Sequence, residues 1–289
     1  MSLRDGEFRY RGHTFGYAPV VVTEVEGLIG SEARVGDRDM PRGDGAVPGD
    51  HYLAPKTPIL TAVVTSRAAL GPLRAALRSS RTVELPLSFG LDGEQLRVWC
   101  RVVGLEVQHR PGSVHVQIAL RASDPRVYAE EQRSVSVPVY VVGGAGGAGY
   151  HDYPGDYPKD ATTVGGAEAV AHNAGDSDAH PLLRVWGPTS GLTSRVTVTN
   201  RTNGSVLDVA TDVGAGQILT CRMREYVTGR TDERIIEVSG ADRYGAWQSR
   251  PAPLRLSPGD NVIRLTEEGA APSGAALTWQ DTWDGSEGI

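Results

Sequence analysis

The sequence predicts a mainly β protein, with an N-terminal β-sandwich or barrel-like unit carrying one helix and a second β-sandwich after it. Three observations predict this. Segments of period-2 alternation between apolar and polar residues recur along the chain, the signature of strands with one buried face. Gly 36 and Pro 18 among 289 residues punctuate the chain with turns, which suits many short strands. A Gly/Ala-rich and then Tyr/Pro-rich stretch divides the chain near its middle, and the length suits two ordinary domains.

Residues 1–142 form the first predicted unit. Phe8 and Tyr10 alternate with polar neighbours before Gly12, a hairpin-like start. Val83, Leu85, Leu87 and Phe89 form one alternating set, Leu96, Val98, Cys100 and Val102 a second, and Val114, Val116, Ile118 and Leu120 a third. Val135, Val137, Val139 and Val141 repeat the pattern. Pro86 and Pro138 cannot donate to a ladder, so their strands are expected at edges or bulged there. Pro72 suits a first helical turn, and Leu70, Leu73 and Leu77 share one face, so a helix is expected over about Pro72–Arg81.

Residues 143–166 read as a linker, Gly/Ala-rich and flexible first, then stiffer with Tyr150, Tyr153, Pro154, Tyr157 and Pro158. Residues 167–289 return to strands and turns. Val196 and Val198 alternate with Thr197 and Thr199, and Leu219, Cys221 and Met223 with Thr220 and Arg222. Asn203-Gly204 is a two-residue hairpin signal. A turn at Pro258–Asn261 precedes Val262–Leu265, and Leu277 and Trp279 mark a last strand. Short, evenly spaced strands of this kind suit a β-sandwich. No internal repeat links the halves.

The charge balance is 29 basic against 35 acidic residues, a formal −6, and no Lys/Arg block stands out. Sequence-independent nucleic-acid binding needs basic clustering, so that class is not expected. Cys100 and Cys221 fall in different predicted units, which argues against a disulfide scaffold and for a reducing compartment at synthesis. The N-terminal residues show no apolar signal region, and no apolar run approaches the ~18 residues of a membrane span. A soluble product made in the cytoplasm is the expectation, and the sequons at Asn200 and Asn203 then carry no meaning.

Each candidate site has a plainer reading that prevails. Gly144-Ala-Gly146-Gly-Ala-Gly149 is a formal dinucleotide fingerprint, and Glu168 lies 19 residues beyond it. The motif needs a helix to begin at the loop, and Pro154 and Pro158 follow instead, so it reads as linker. Asp37, Asp39 and Asp44 resemble a calcium loop, but Pro41 stands where an oxygen ligand belongs. Arg42-Gly-Asp44 reads as a turn. His172, Asp176, Asp178 and His180 could be drawn as a metal cluster, yet their spacing matches no ligand pattern and Gly175 and Pro181 mark a loop. Cys100 and Cys221 lie on the apolar phase of their strands, as small core residues. His109 falls at a strand end and His115 on an outward phase. There is no G-x-S-x-G nucleophile motif, and no acid pair stands out for glycoside chemistry. Among the aromatics, Tyr150, Tyr153, Tyr157, Trp247, Trp279 and Trp283 could anchor a partner or stack on sugars, with Trp279 as core the favoured reading. Catalytic, cofactor-binding and metal residues are therefore all expected to be none.

A set of short motifs runs in order along the chain. The first unit holds Phe15-Gly16-Tyr17, Asp39-Met-Pro41 with Asp44-Gly45, and Asp124-Pro125-Arg126-Val-Tyr128. Gly143-Gly144, Tyr153-Pro154 and Tyr157-Pro158 follow, then Asn173-Ala-Gly175-Asp176 and Pro181-Leu-Leu-Arg-Val-Trp-Gly-Pro188. Gly216-Gln217, Leu256-Ser-Pro258-Gly259-Asp-Asn261 and the tryptophan-bearing final strand complete the series. In this order they resemble the distal tail protein family of long-tailed bacteriophages, of siphovirus type. The long Gly/Ala linker departs from many relatives.

The resemblance implies a ring-forming N-terminal domain (1–142) and an outward-facing, galectin-like C-terminal sandwich (167–289). It implies a non-enzymatic, structural protein without cofactors at the virion tail tip. Six copies would close a ring joining the tail tube protein to the tail-tip hub or tail-associated lysin. DNA would pass through the hole in transit, without specific binding, and no membrane would be involved. At −6 per copy, a lumen of like charge would let phosphates slide past. The alternative it leaves open is a carbohydrate-binding adhesion module that contacts the host cell wall; a wall hydrolase is a third possibility, with no catalytic constellation to support it.

Overall fold

The computed structural model describes residues 2–30, 33–35, 38–39, 46–47, 51–78, 83–141, 168–223, 234–248 and 253–284. The fold is mainly β. One unit takes Met1–Glu131, Thr228–Arg230 and Thr282–Ile289; the other takes Gln132–Val227 and Thr231–Asp281.

The first unit is a nine-stranded sheet. Its main path runs His13–Phe15, Phe8–Tyr10, Leu85–Leu91, Glu94–Arg110, Ser113–Arg121, Ile59–Val64 and Val20–Glu26. Tight turns set the registers. Arg11-Gly12 and Asp92-Gly93 both hold positive φ at two successive residues, the geometry that matches the right-handed twist of a hairpin. They bring Tyr10 opposite His13 and Leu91 opposite Glu94. The two end strands of the path meet at Gly16, whose N–H donates to the Val20 carbonyl at 2.9 Å and whose carbonyl accepts from Val22 N–H at 3.2 Å. The sheet therefore curls toward a barrel. A side chain at Gly16 would stand 2.3 Å from the Gly6 carbonyl oxygen, so only glycine permits this closure.

Phe8, Tyr10, Leu60, Phe89, Leu96, Val98, Ile118 and Leu120 fill the interior. Each fully buried side chain of this size contributes roughly 1.5–3 kcal/mol. The helix spans Leu70–Ala76 behind a short 3-10 turn at Arg67–Ala69. It begins before the expected Pro72, which sits within the first turn where its missing N–H costs nothing. Leu70, Leu73 and Leu77 are buried on the core, as their spacing requires. Between Val20–Glu26 and Ile59–Val64, Ala33–Val35 pairs with His51–Leu53 and Arg38–Asp39 with Ala46–Val47.

The second unit is a sandwich with one shared core. Its six-stranded sheet runs Arg133–Ser136, Gly274–Trp279, Leu182–Trp186, Ile218–Met223, Arg234–Val238 and Ala241–Asp242. Its five-stranded sheet runs Val139–Val141, Gly259–Gly269, Leu192–Asn200 and Val206–Gly214, with Glu168–Asn173 also on Gly259–Gly269. Inward-facing Leu183, Val185, Val196, Val198, Leu219, Ile263, Leu265 and Leu277 interdigitate between the sheets.

Four local expectations change. Arg133–Ser136 and Val139–Val141 pair within the second unit's sheets, because alternation reports a buried face without naming the core it meets. Pro138 stands where the chain passes from the six-stranded to the five-stranded sheet, so its missing donor breaks no ladder. Pro86 lies opposite Trp99, past the end of the pairing with Phe8–Tyr10. Asn203-Gly204 does not form a two-residue turn: the loop runs from Arg201 to Ser205. The Asn203 amide N–H is held instead by the Arg255 carbonyl at 3.1 Å and Ser257 Oγ at 2.9 Å.

Candidate functional site

Two unpaired strand edges of the first unit stand out among the described residues. Val20–Glu26 pairs only with Ile59–Val64, and after Val22 nothing described covers its other side. Glu24, Val25 and Glu26 are exposed there, Val25 at 42%. The second edge belongs to Glu94–Arg110. Seventeen residues long, this strand gives Glu94–Cys100 to Leu85–Leu91 and Arg101–Arg110 to Ser113–Arg121. The side of Val103–Arg110 away from Ser113–Arg121 has no described strand on it. Val103 is 53% exposed, and Gln108, His109 and Arg110 are exposed toward the hairpin tip. One edge is acidic and the other ends in basic groups. Such edges present rows of N–H and C=O groups for another strand.

The pocket beside Gly16 is lined by Glu7, His13, Phe15, Tyr17, Val20 and Ala69 and holds about 170 Å³. That is below the ~300 Å³ at which small-molecule sites begin, so it can take one side chain or a few waters.

The sequence-derived candidates separate. His172 Nδ1 lies 2.6 Å from Asp260, and Asp178 accepts an ion pair from Arg255 at 3.0 Å. Asp176 and His180 are engaged elsewhere, and no group of three or more metal-ligating side chains forms among the described residues. Asp39 sits in a short strand, while Asp37, Arg42 and Asp44 lie outside the described residues, as do 143–166 with Gly144–Gly149, Tyr150, Tyr153 and Tyr157. Cys100 and Cys221 are buried and unpaired; burial pushes both thiols up, Cys221 to about 12, so neither supplies a thiolate. His109 is exposed and His115 half-buried. Trp279 is core, its indole N–H on the His172 carbonyl at 3.2 Å. Trp247 packs against the second core and Trp283 against the first.

Other motif residues serve the scaffold. Asp124 is buried, accepting from Arg126 N–H at 3.1 Å and from the Tyr128 hydroxyl. Asn173, Asn200 and Asn261 are fully buried. Asn261 donates to the Ser257 and Gly259 carbonyls at 2.7 and 2.9 Å, and its oxygen accepts from Asn200 at 2.8 Å and Ser257 N–H at 2.9 Å. This network pins the loops at one end of the sandwich.

Three carboxylates show how location sets charge. Asp208 is held below the usual range by hydrogen bonds from Arg195 at 2.6 and 2.8 Å. Burial raises Glu84, whose Oε1 accepts from Ser123 N–H at 2.8 Å. Glu267 faces inward from Gly259–Gly269, is 2% exposed, and has no hydrogen-bond partner for either oxygen among the described residues; burial pushes it up to about 7.

Sequence reasoning passed over the exposed aromatic Tyr17, and also Trp186. The signal for Trp186 was its phase: Leu183 and Val185 point inward, so Arg184 and Trp186 point out.

No protein-family model matches the sequence, and no curated protein matches it either. Solved structures do. A chain of the phage P2 baseplate in its activated conformation with Ca matches at TM-score 0.51 and 8% identity, covering 95% of this chain and 97% of that one. The baseplate with Sr gives TM-score 0.51 and 9% identity, with 95% and 96% covered. The SPP1 Dit protein, described as a paradigm of the hub adsorption apparatus in phages infecting Gram-positive bacteria, matches at TM-score 0.66 and 14% identity over 96% of this chain and 98% of that one. The chain therefore has the fold of the SPP1 Dit protein from near one end to near the other.

Proposed function

We propose that this protein is a structural component of a phage tail tip, six copies of which close a ring. The observation that carries the reading is the near end-to-end fold match with the SPP1 Dit protein, itself described as part of a hub adsorption apparatus. The unpaired edges at Thr23–Glu26 and Val103–Arg110 support it. A rotationally closed ring needs two unlike patches, one meeting the other on the next copy. In this role the ring joins the tail tube to the tail-tip hub, DNA crosses the hole without being held, and the chain performs no catalysis. Virions labelled with antibody to this chain test the placement: label at the distal end of the tail is expected, and label on the capsid or none on virions overturns it.

A second reading, contact with cell-wall carbohydrate through the sandwich unit, is favoured by one observation, the part-exposed Trp186 on the outward phase of Leu182–Trp186.

A further inference from the structure

The ladders of the five-stranded sheet place Val141, Glu267, Val196 and Val209 in one row. The next row is Val139, Leu265, Val198 and Leu207. Beyond Glu267 on the other side comes Thr193, fully buried, which spends its hydroxyl on the Ala270 carbonyl at 2.6 Å. Glu267 is therefore a carboxyl on an apolar inner surface, 2% exposed, with neither oxygen hydrogen-bonded among the described residues.

The charged groups of the surrounding strands are turned to other partners. Glu268, next along the chain, meets Arg195 at 3.4 Å, and Arg195 also meets Asp208 at 2.6 Å. Glu168 pairs with Arg201 at 2.5 Å, His172 with Asp260 and Arg133 with Asp281 at 2.6 Å each. Tyr140 is in register with Thr266 and not with Glu267. On the facing sheet, Cys221 is the titratable side chain turned inward among the described residues, and burial keeps it protonated. Burial alone thus sets the behaviour of Glu267, raising it to about 7.

The two flanks of Glu267 are unequal. On one side stands Val196, in a nine-residue strand held by antiparallel ladders on both sides. On the other stands Val139–Val141, three residues long, at the edge of the sheet among the described residues. It is joined to Gly259–Gly269 by the one parallel ladder of that sheet. Parallel pairing is the weaker kind per residue, and short edge elements open before long central ones. Water reaches Glu267 at least cost by the parting of this strand.

We propose that Glu267 is a proton-operated latch on the strand Val139–Val141. Protonated, the carboxyl tolerates its apolar surroundings and the strand stays paired. Ionised, it favours the opened form, in which the charge is hydrated. Opening releases one proton, so the opened share rises with pH between about 4.5 and 7 and levels off above. The freed side of Leu265–Glu267 then carries unpaired N–H and C=O groups.

The test is hydrogen exchange of the full chain, read by mass spectrometry at pH 5 and pH 8 and corrected for the intrinsic pH dependence of amide exchange. The opening constant of peptides covering Val139–Val141 should rise more than tenfold between the two values. Peptides covering Leu182–Trp186 should change little. In Glu267→Gln the rise should vanish, with Val139–Val141 as protected at pH 8 as the wild type is at pH 5. Equal protection of Val139–Val141 at both values in the wild type overturns the proposal, and needs no variant. A rise spread evenly over both sheets overturns it too, since the whole sandwich would then loosen without a latch. So does a rise that persists in Glu267→Gln, which would assign the titration to another group.

Discussion

At the scale of single residues, Glu267 is the side chain whose chemistry most opposes its location. In the unfolded chain it ionises near 4.5, and in the fold near 7. Between those values the folded protein keeps a proton that the unfolded chain has lost, so unfolding releases it. Stability from this group is therefore fully present below pH 4.5 and is lost as pH rises through 7. Glu267→Gln keeps the shape and removes the charge. It should stabilise the sandwich by about 2 kcal/mol at pH 8 and change little at pH 4.5, as read by urea denaturation at the two values. Asn261 is the opposite case, a polar group with its hydrogen-bonding capacity met. Asn261→Ala strands Asn200 and the Ser257 backbone in a dry site, and a loss of about 3 kcal/mol is expected in the same measurement.

At the scale of elements, the strand Thr282–Trp283 joins the first unit by pairing with Val127–Ala129, and Trp283 packs on that core. Trp283→Ala should cost about 2 kcal/mol, and hydrogen exchange should place the loss at Val127–Tyr128 ahead of the second unit's strands. Sequence pattern could not have shown this, because two residues carry no period. Where one face is apolar and the other polar, as in Leu96–Val102 and Val114–Leu120, the strands were legible. Ile59–Val64 was not, because both its faces are apolar enough to hide the alternation, although burial still alternates along it. The helix was legible from Leu70, Leu73 and Leu77, and its start was not, since Ser66 makes no capping hydrogen bond. Turn chemistry misled once: Asn203 spends its amide on the 255–257 segment and not on a tight hairpin. Of the surface aromatics, Trp186 was readable only by phase.

At the scale of the whole molecule, the first unit leaves the strand edges at Thr23–Glu26 and Val103–Arg110 open among the described residues. The 29 basic and 35 acidic residues give no excess of positive charge, so duplex DNA should not be retained even at 50 mM salt, as checked by gel shift. Val25→Lys places a charge on the exposed edge at Thr23–Glu26 and should shift assembly toward monomer without changing the melting of the monomer. The claim beneath all of this is that copies complete one another's free edges around a closed axis. Native mass spectrometry of the full chain, alone and with tail proteins, tests it most directly. A species near six times the 30.8 kDa chain mass, with sixfold symmetry in electron micrographs, is the predicted result. A chain that stays monomeric at every concentration and with every tail protein would contradict it.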